Sequence, residues 1–218
     1  MSLTLYFSPG ACSFVPHVLL QASGVAFEPT MVKLHKGEQN EAAYRALNPR
    51  GQVPVLVDNG SVITQILAIC LHLDARFPEC HFLPTESLAR AKAIETLAWM
   101  NNTVHPTFTH YFMPHKFTDQ ADAQAVIKAY AAEQYRKLVG DIQGLLQASK
   151  QAGQAWMSGS HLGPVDAYAL TLTRWGSMAG INPADFPDLW AHVQRVAEQA
   201  PVKAVMERER LVLNLFKA

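Results

Sequence analysis

The 218-residue sequence has little cysteine, no excess of either charge and no long apolar run, and each shortage removes a class of explanation. Cysteine occurs three times, at Cys12, Cys70 and Cys80, an odd number with neither paired nor zinc-like spacing. A disulfide framework and a structural zinc site are therefore set aside, and the thiols are read as reduced. Lysine plus arginine (18) balances aspartate plus glutamate (18). No overall field then draws nucleic acid, acidic lipid or a polyanionic substrate, and any ligand must be held by a local site. No apolar run approaches the roughly eighteen residues of a membrane span, and Met1 to Gly10 contains no basic stretch leading into a signal-like apolar run. The expectation is a cytoplasmic protein with neither membrane nor nucleic-acid partners. Neither Gly-x-x-x-x-Gly-Lys nor Gly-x-Gly-x-x-Gly occurs, so nucleotide binding has no support. His105, His110 and His115 recur every five residues, a spacing that turns about 140° on a helix and spreads the rings around it, so no metal site is expected.

What is present is apolar surface, 49% of residues, enough for a sizeable core. It is distributed in two textures. Up to about Phe77 the pattern changes every ten residues or so, as in an α/β unit. Strands are predicted over Leu3–Phe7, Phe27–Val32, Val53–Val57 and Ser61–Thr64, and helices over Cys12–Ser23, through Tyr44, and over Gln65–Phe77. Asp58-Asn59-Gly60 joins the last two strands as a hairpin, since Asn-Gly readily takes positive φ. Beyond the turn residues Phe82-Leu83-Pro84-Thr85 only helical patterns follow, over Glu86–Phe112, Asp119–Lys150, Pro164–Ala179, Pro187–Ala200 and Val202–Leu211. Two domains are expected, residues 1–79 and 86–218. Trp99, Trp156, Trp175 and Trp190 read as anchors of the helical core, and Glu207-Arg208-Glu209-Arg210 reads as a solvated helix end with local ion pairs.

Two short segments carry chemistry. Ser8-Pro9-Gly10-Ala11-Cys12-Ser13 is a strand-to-helix turn that leaves a thiol and a hydroxyl at a helix N-terminus, where free N–H groups and the helix dipole lower a thiol pKa. Read without that chemistry, Cys12 is a small buried residue opening a helix. In Gly51-Gln52-Val53-Pro54 a proline starts a strand. This suits a cis peptide that exposes the Val53 backbone to an extended ligand, and equally a trans proline at a strand entrance. His105, Phe108 and Phe112 fall on one helical face, as a core stripe does and as the wall of an apolar pocket does.

Ser8 to Ser13 with Pro16-His17, Asn48-Pro49-Arg50-Gly51-Gln52-Val53-Pro54, Ile63-Thr64-Gln65 and Val165-Asp166-Ala167-Tyr168 follow one another along nearly the whole chain. Jointly they resemble the glutathione S-transferase superfamily, its bacterial beta class most closely. The resemblance implies a thioredoxin-like α/β N-terminal domain that binds glutathione, an all-α C-terminal domain, and a homodimer. It implies an enzyme that activates the glutathione thiol for attack on an electrophilic or disulfide-bearing small molecule, with glutathione as co-substrate and no metal. Cys12 and Ser13 then match the catalytic positions. Lys36 matches the lysine for the glycyl carboxylate, with His35 competing for that role. Val53 and Pro54 match the backbone clamp with Gln52 beside it, Gln65 the γ-glutamyl contact, and His105 the histidine that projects into the site; Phe108 and Phe112, by their spacing from His105, are the candidates for the wall of a co-substrate pocket.

The chain departs from the family at three places. Ile66 stands where a serine hydroxyl and N–H together hold the γ-glutamyl carboxylate, which leaves only the N–H and costs about 1.5–3 kcal/mol of binding. Pro106 follows His105 where the beta class often has lysine. Gly163 replaces the serine or threonine that caps the Asp166 helix, at an expected cost of a few tenths of a kcal/mol. The loss at Ile66 keeps open a non-catalytic reading, a binding or interaction protein on the same fold.

Overall fold

The computed structural model describes residues 2–217. Leu3, Leu5 and Phe7 are buried and Thr4 and Tyr6 half-buried, the alternation of a strand between two layers. This strand, β1 (Leu3–Phe7), is central in a four-stranded sheet. It pairs in parallel with β2 (Glu28–Met31), Leu5 opposite Pro29, and antiparallel with β3 (Val55–Asp58), Leu5 opposite Leu56. The parallel pair needs a crossover, supplied by helix α1 (Phe14–Ala22). The edge strand β4 (Ser61–Thr64) returns from β3 through Asn59 (φ 47°) and Gly60 (φ 86°), the predicted hairpin. All four predicted strands form. β3 begins at Val55 rather than Val53 because Pro54 has no N–H to give the ladder.

One face of the sheet presents Leu3, Leu5, Phe7 and Leu56 to Val15, Val18 and Leu19 of α1 and to Ile69 and Leu73 of helix α3 (Ile66–Arg76). The other face, through Tyr6, Val55 and Val57, meets Val32 and Tyr44, the latter from the short helix α2 (Ala42–Leu47). Beyond Thr64 the described residues form no further strand. There follow α4 (Ser87–Trp99), α5 (His105–Phe112), α6 (Ala121–Gln151), α7 (Pro164–Met178), α8 (Pro187–Ala197) and α9 (Ala200–Glu209). No helix among the described residues is long and apolar enough to cross a membrane. Nearly every residue of α7 is buried, Arg174 and Met178 excepted, which makes it the central helix. Helix α1 packs against α7 and α9, so a single apolar core runs from Leu3 to Val205 through both parts of the chain.

The helix predicted over Glu86–Phe112 is interrupted. Met100–Val104 forms a π turn in which the His105 N–H bonds the Met100 carbonyl five residues back. Pro106 explains the break: it has no N–H, and its ring crowds the carbonyl one turn earlier, so the ladder widens just before it.

Asp166 is fully buried and ties the start of α7 to its surroundings. It accepts the N–H groups of Met157 (2.8 Å), Ser158 (3.2 Å) and Gly163 (3.2 Å) and pairs with His192 Nε2 of α8 at 2.9 Å. The cap hydroxyl missing at Gly163 comes from elsewhere, since Ser158 Oγ accepts the Val165 N–H at 3.1 Å. Gly163 is also sterically required, because a Cβ there would lie 2.1 Å from the Phe82 carbonyl oxygen and 2.6 Å from Ser158 Oγ. Gly163→Ser, a favourable cap change on a free helix, is expected here to lower stability by about 1–3 kcal/mol through overpacking. Urea denaturation checks this, and an unchanged or raised midpoint would refute it.

Candidate functional site

The turn after β1 is held from three directions. Within it, Ala11 N–H bonds the Ser8 carbonyl at 3.1 Å. Ser13 Oγ accepts the Ser8 N–H at 3.1 Å and donates to the Ser8 carbonyl at 3.2 Å. From α7, Trp175 Nε1 donates to the Gly10 carbonyl at 2.9 Å. From the end of α9, Glu209 Oε2 accepts the Gly10 N–H at 2.8 Å, and its Oε1 pairs with His17 Nδ1 of α1 at 2.7 Å. Gly10 has φ 70° and is overlain by the Arg174 guanidinium, whose Nη1 lies 2.8 Å from where a Cβ would stand. Burial pushes the Arg174 pKa down and the Glu209 charge opposes this, while its Nε donates to the Val212 carbonyl at 2.8 Å.

Glu209 corrects the solvated reading of residues 207–210: it is 3% exposed, with both carboxylate oxygens used inside the protein. Alternating signs argue for solvent when nothing else is known of the segment. The contrary signal was position, since an acid in the last turn of a helix faces the unfavourable end of the dipole and needs a partner elsewhere.

Cys12 and Ser13 part company. Ser13 is fully buried and its hydroxyl is bonded to both backbone groups of Ser8, so it stabilises the turn. The Cys12 thiol donates to the Val53 carbonyl at 3.5 Å. It is not the low-pKa thiol expected of a helix N-terminus: burial pushes it up to about 12, against the N–H groups of Cys12 and Ser13, which lower it. The helix begins at Phe14 rather than Cys12, and its first N–H groups are already engaged. Phe14, Val15 and His17 donate to the carbonyls of Ala11 (3.0 Å), Cys12 (3.2 Å) and Ser13 (3.2 Å).

Val53–Pro54 is a cis peptide. The Gln52 carbonyl accepts from Tyr44 Oη at 2.8 Å and Asn48 Nδ2 at 2.7 Å, which fixes the approach to Val53. Among the described residues the Val53 N–H has no hydrogen-bond partner, so a donor and the thiol-bonded carbonyl sit on one stretch of extended backbone. Gln65 stands at the N-terminus of α3 with φ 74°, its side chain exposed. Ile66 is 3% exposed and packs into the core, leaving its N–H at the helix start. Lys36 and His35 lie exposed on one short turn (Leu34–Lys36), and the Gln52 side chain is also exposed. No hydrogen bond among the described residues draws these side chains to the thiol.

His105 completes the cluster from the helical side. Its Nδ1 lies 2.7 Å from Tyr168 Oη, its ring packs edge-on to Trp175 at 4.8 Å, and burial pushes its pKa down to about 4. Trp175, packed on the His105 ring and bonded to the Gly10 carbonyl, joins this pair to the turn that carries Cys12. Phe108 is a core residue, stacked between Trp175 (4.8 Å) and Phe112 (5.6 Å), whereas Phe112 is 51% exposed. The structure thus gathers Cys12, Val53, His105, Tyr168 and Trp175. Sequence reading placed Trp175 only in the core and gave Tyr168 no role, because neither hydroxyl nor indole partner is visible without the fold. The open groove between α4 and α6, lined by Glu95, Trp99 and Asp141 among others, has carboxylates but neither thiol nor imidazole.

Because only a thiolate is alkylated, iodoacetamide labelling of Cys12 in the ligand-free protein should rise about tenfold per pH unit between pH 7 and 9. It should lag behind the partly exposed Cys80. Peptide mapping by mass spectrometry measures both, and fast labelling of Cys12 independent of pH would contradict the buried protonated thiol.

Comparison with known proteins agrees with this geometry. The family model described as "Glutathione S-transferase, N-terminal domain" matches residues 1–75, and that described as "Glutathione S-transferase, C-terminal domain" matches residues 99–200. The chain is 32% identical over 212 residues to glutathione S-transferase GstA of Escherichia coli O157:H7, covering 96% of this chain and 100% of that protein. A bacterial beta class glutathione S-transferase structure from Sphingomonas chungbukensis superposes with a TM-score of 0.81 at 28% identity, over 96% of this chain and all of that one. A sphingomonad glutathione S-transferase complexed with glutathione gives a TM-score of 0.79 at 28% identity, over the same shares. With a thioredoxin-like sheet, a helical second half, a thiol against a cis-proline backbone, and family matches along most of its length, the chain belongs to the glutathione S-transferase family.

Proposed function

We propose that this protein is a glutathione S-transferase that binds reduced glutathione through residues 1–79 and receives a small electrophilic or disulfide-bearing co-substrate against residues 86–218. The observation that carries this reading is the Cys12 thiol resting on the Val53 carbonyl at 3.5 Å, beside a Val53 N–H that has no partner among the described residues. An extended peptide-like ligand pairs with such an edge through its own backbone, which brings a cysteinyl sulfur up to Cys12. Gln65 and the amides at the start of α3 receive the γ-glutamyl carboxylate, as a helix N-terminus favours an anion. Lys36 or His35, on the exposed loop, serves the glycyl carboxylate. The protein acts in the cytoplasm as a homodimer.

In the reaction the glutathione sulfur forms a bond to the electrophilic atom, the leaving group departs with the bonding pair, and the thiol proton passes to solvent. With glutathione bound, the Cys12 S–H, protonated near neutral pH, turns from the Val53 carbonyl to donate toward that sulfur, and Cys12 is not itself the nucleophile, so conjugation is favoured over a mixed disulfide on Cys12. Phe112, exposed at the end of the aromatic stack, offers apolar surface to the co-substrate.

The buried Ile66 favours a second reading, a family member that keeps the fold as a binding or interaction protein with a weakened glutathione site. Calorimetric titration with reduced glutathione separates the two. Binding in the micromolar to low millimolar range, with turnover of an electrophile, supports the enzyme. Absence of binding in the wild type, restored in Ile66→Ser, supports the other. That variant also vacates core volume and is expected to lose about 2–4 kcal/mol of stability, so its fold is checked by circular dichroism. Ser13→Ala is expected to cost about 1–3 kcal/mol of stability by stranding the Ser8 N–H while retaining turnover. Cys12→Ala is expected to lower kcat while remaining folded, and full activity in Cys12→Ala would remove the thiol from the mechanism.

A further inference from the structure

The Tyr168 hydroxyl is fully buried, and its one hydrogen-bond partner among the described residues is His105 Nδ1 at 2.7 Å. That contact has two possible forms. A neutral imidazole carries one N–H, so either Nδ1–H donates to the phenolic oxygen, or the phenol donates to a bare Nδ1 and the ring proton sits on Nε2. The first form would leave the phenolic hydrogen buried without an acceptor, a state that folded proteins avoid. The second form satisfies both groups. It leaves Nε2–H, which has no partner among the described residues and is not among the side-chain atoms sealed from solvent without one, open to a ligand.

We propose that Tyr168 is the positioning residue that fixes His105 as its Nε2–H tautomer, so that the site presents a neutral N–H donor to the glutathione sulfur. This rests on the reading of the site as a glutathione site. Three independent features support the arrangement. Tyr168 sits on α7, the most deeply buried helix, and its hydroxyl cannot turn toward water. The imidazole is held edge-on against Trp175 at 4.8 Å, which limits its rotation. Burial also keeps the ring uncharged at neutral pH, so a single tautomer, not an imidazolium, is what the hydroxyl selects. The lysine that the family often places after this histidine is Pro106 here, so the sulfur meets a dipolar donor in place of an adjacent ammonium. A neutral donor stabilises a thiolate without adding a charge to the site.

The test is the tautomer itself, read by long-range proton–nitrogen NMR on the full-length protein without ligand at neutral pH, with the His105 signals assigned through His105→Gln. The wild type should show an acceptor-type Nδ1 and a protonated Nε2. Tyr168→Phe should lose this preference and populate both tautomers, with kcat for conjugation falling about tenfold or more and KM for glutathione moving less than about twofold. A wild type protonated on Nδ1 overturns the proposal. So does a Tyr168→Phe protein that keeps Nε2–H entirely, or one whose tautomers mix while kcat is unchanged. Should Tyr168→Phe fail to fold, the wild-type spectrum still decides. A wild type with the expected tautomer that does not bind glutathione by titration overturns the function proposed above, and is told apart by that measurement.

Discussion

The Glu209 carboxylate is the constraint on which the site depends. Its two oxygens take the Gly10 N–H and the His17 ring, so the last turn of α9 sets the path of the first loop and the start of α1 together. A carboxylate withdrawn from water is costly unless its hydrogen bonds are complete, and breaking such a buried pair usually removes about 3–5 kcal/mol. Trp175 holds the other side of the same residue, Gly10, by its carbonyl. The turn is clamped on both backbone groups of one glycine, and the thiol two residues on inherits its position from that clamp.

The clamp also explains the electrostatic character of the site. Several groups that could have solvated a thiolate are spent on structure: the Phe14, Val15 and His17 amides go to the turn carbonyls and the Ser13 hydroxyl goes to Ser8, which leaves the Cys12 and Ser13 amides for the sulfur. What remains in the cluster is a thiol and an imidazole that burial holds uncharged, beside the Val53 backbone. In the function proposed above, stabilisation of developing negative charge on the glutathione sulfur falls to hydrogen-bond donors fixed in a poorly hydrated setting, where each is worth more than in water.

The architecture was legible from local rules. Alternation over Leu3–Phe7, Asn59-Gly60 at the hairpin and Pro164 opening a helix each name an element through steric or hydrogen-bonding preferences that act within a few residues. Val53, Pro54 and His105 were picked out as candidates by short strings in a fixed order. What local pattern could not convey was burial against distant partners. At Cys12 the sequence allowed both an activated thiol at a helix start and a small buried residue, and the burial that decides for the second comes from the fold and raises the thiol pKa. Glu209 and Gly163 failed for the same reason: one acts nearly two hundred residues away in sequence, and the other is fixed by a carbonyl from the linker. The π turn at Met100–Val104 lay between, since Pro106 announced a defect in the helix without saying which kind.

The span of the Gly10 clamp bears on how the molecule is made. Its two side chains lie 165 and 199 residues downstream of the glycine they hold. On the ribosome the sheet-bearing half emerges and can pair its strands while neither indole nor carboxylate yet exists. Its first loop has only its internal bonds, from Ala11 and Ser13 to Ser8, to set it. The part of the chain that carries the thiol is thus the earliest to be synthesised and among the last to reach its final shape, and contacts of such long range slow the final step of folding. The carbonyl that the Cys12 thiol meets, Val53, is made early, whereas the clamp on the loop that carries the thiol is complete only once Glu209 has been translated.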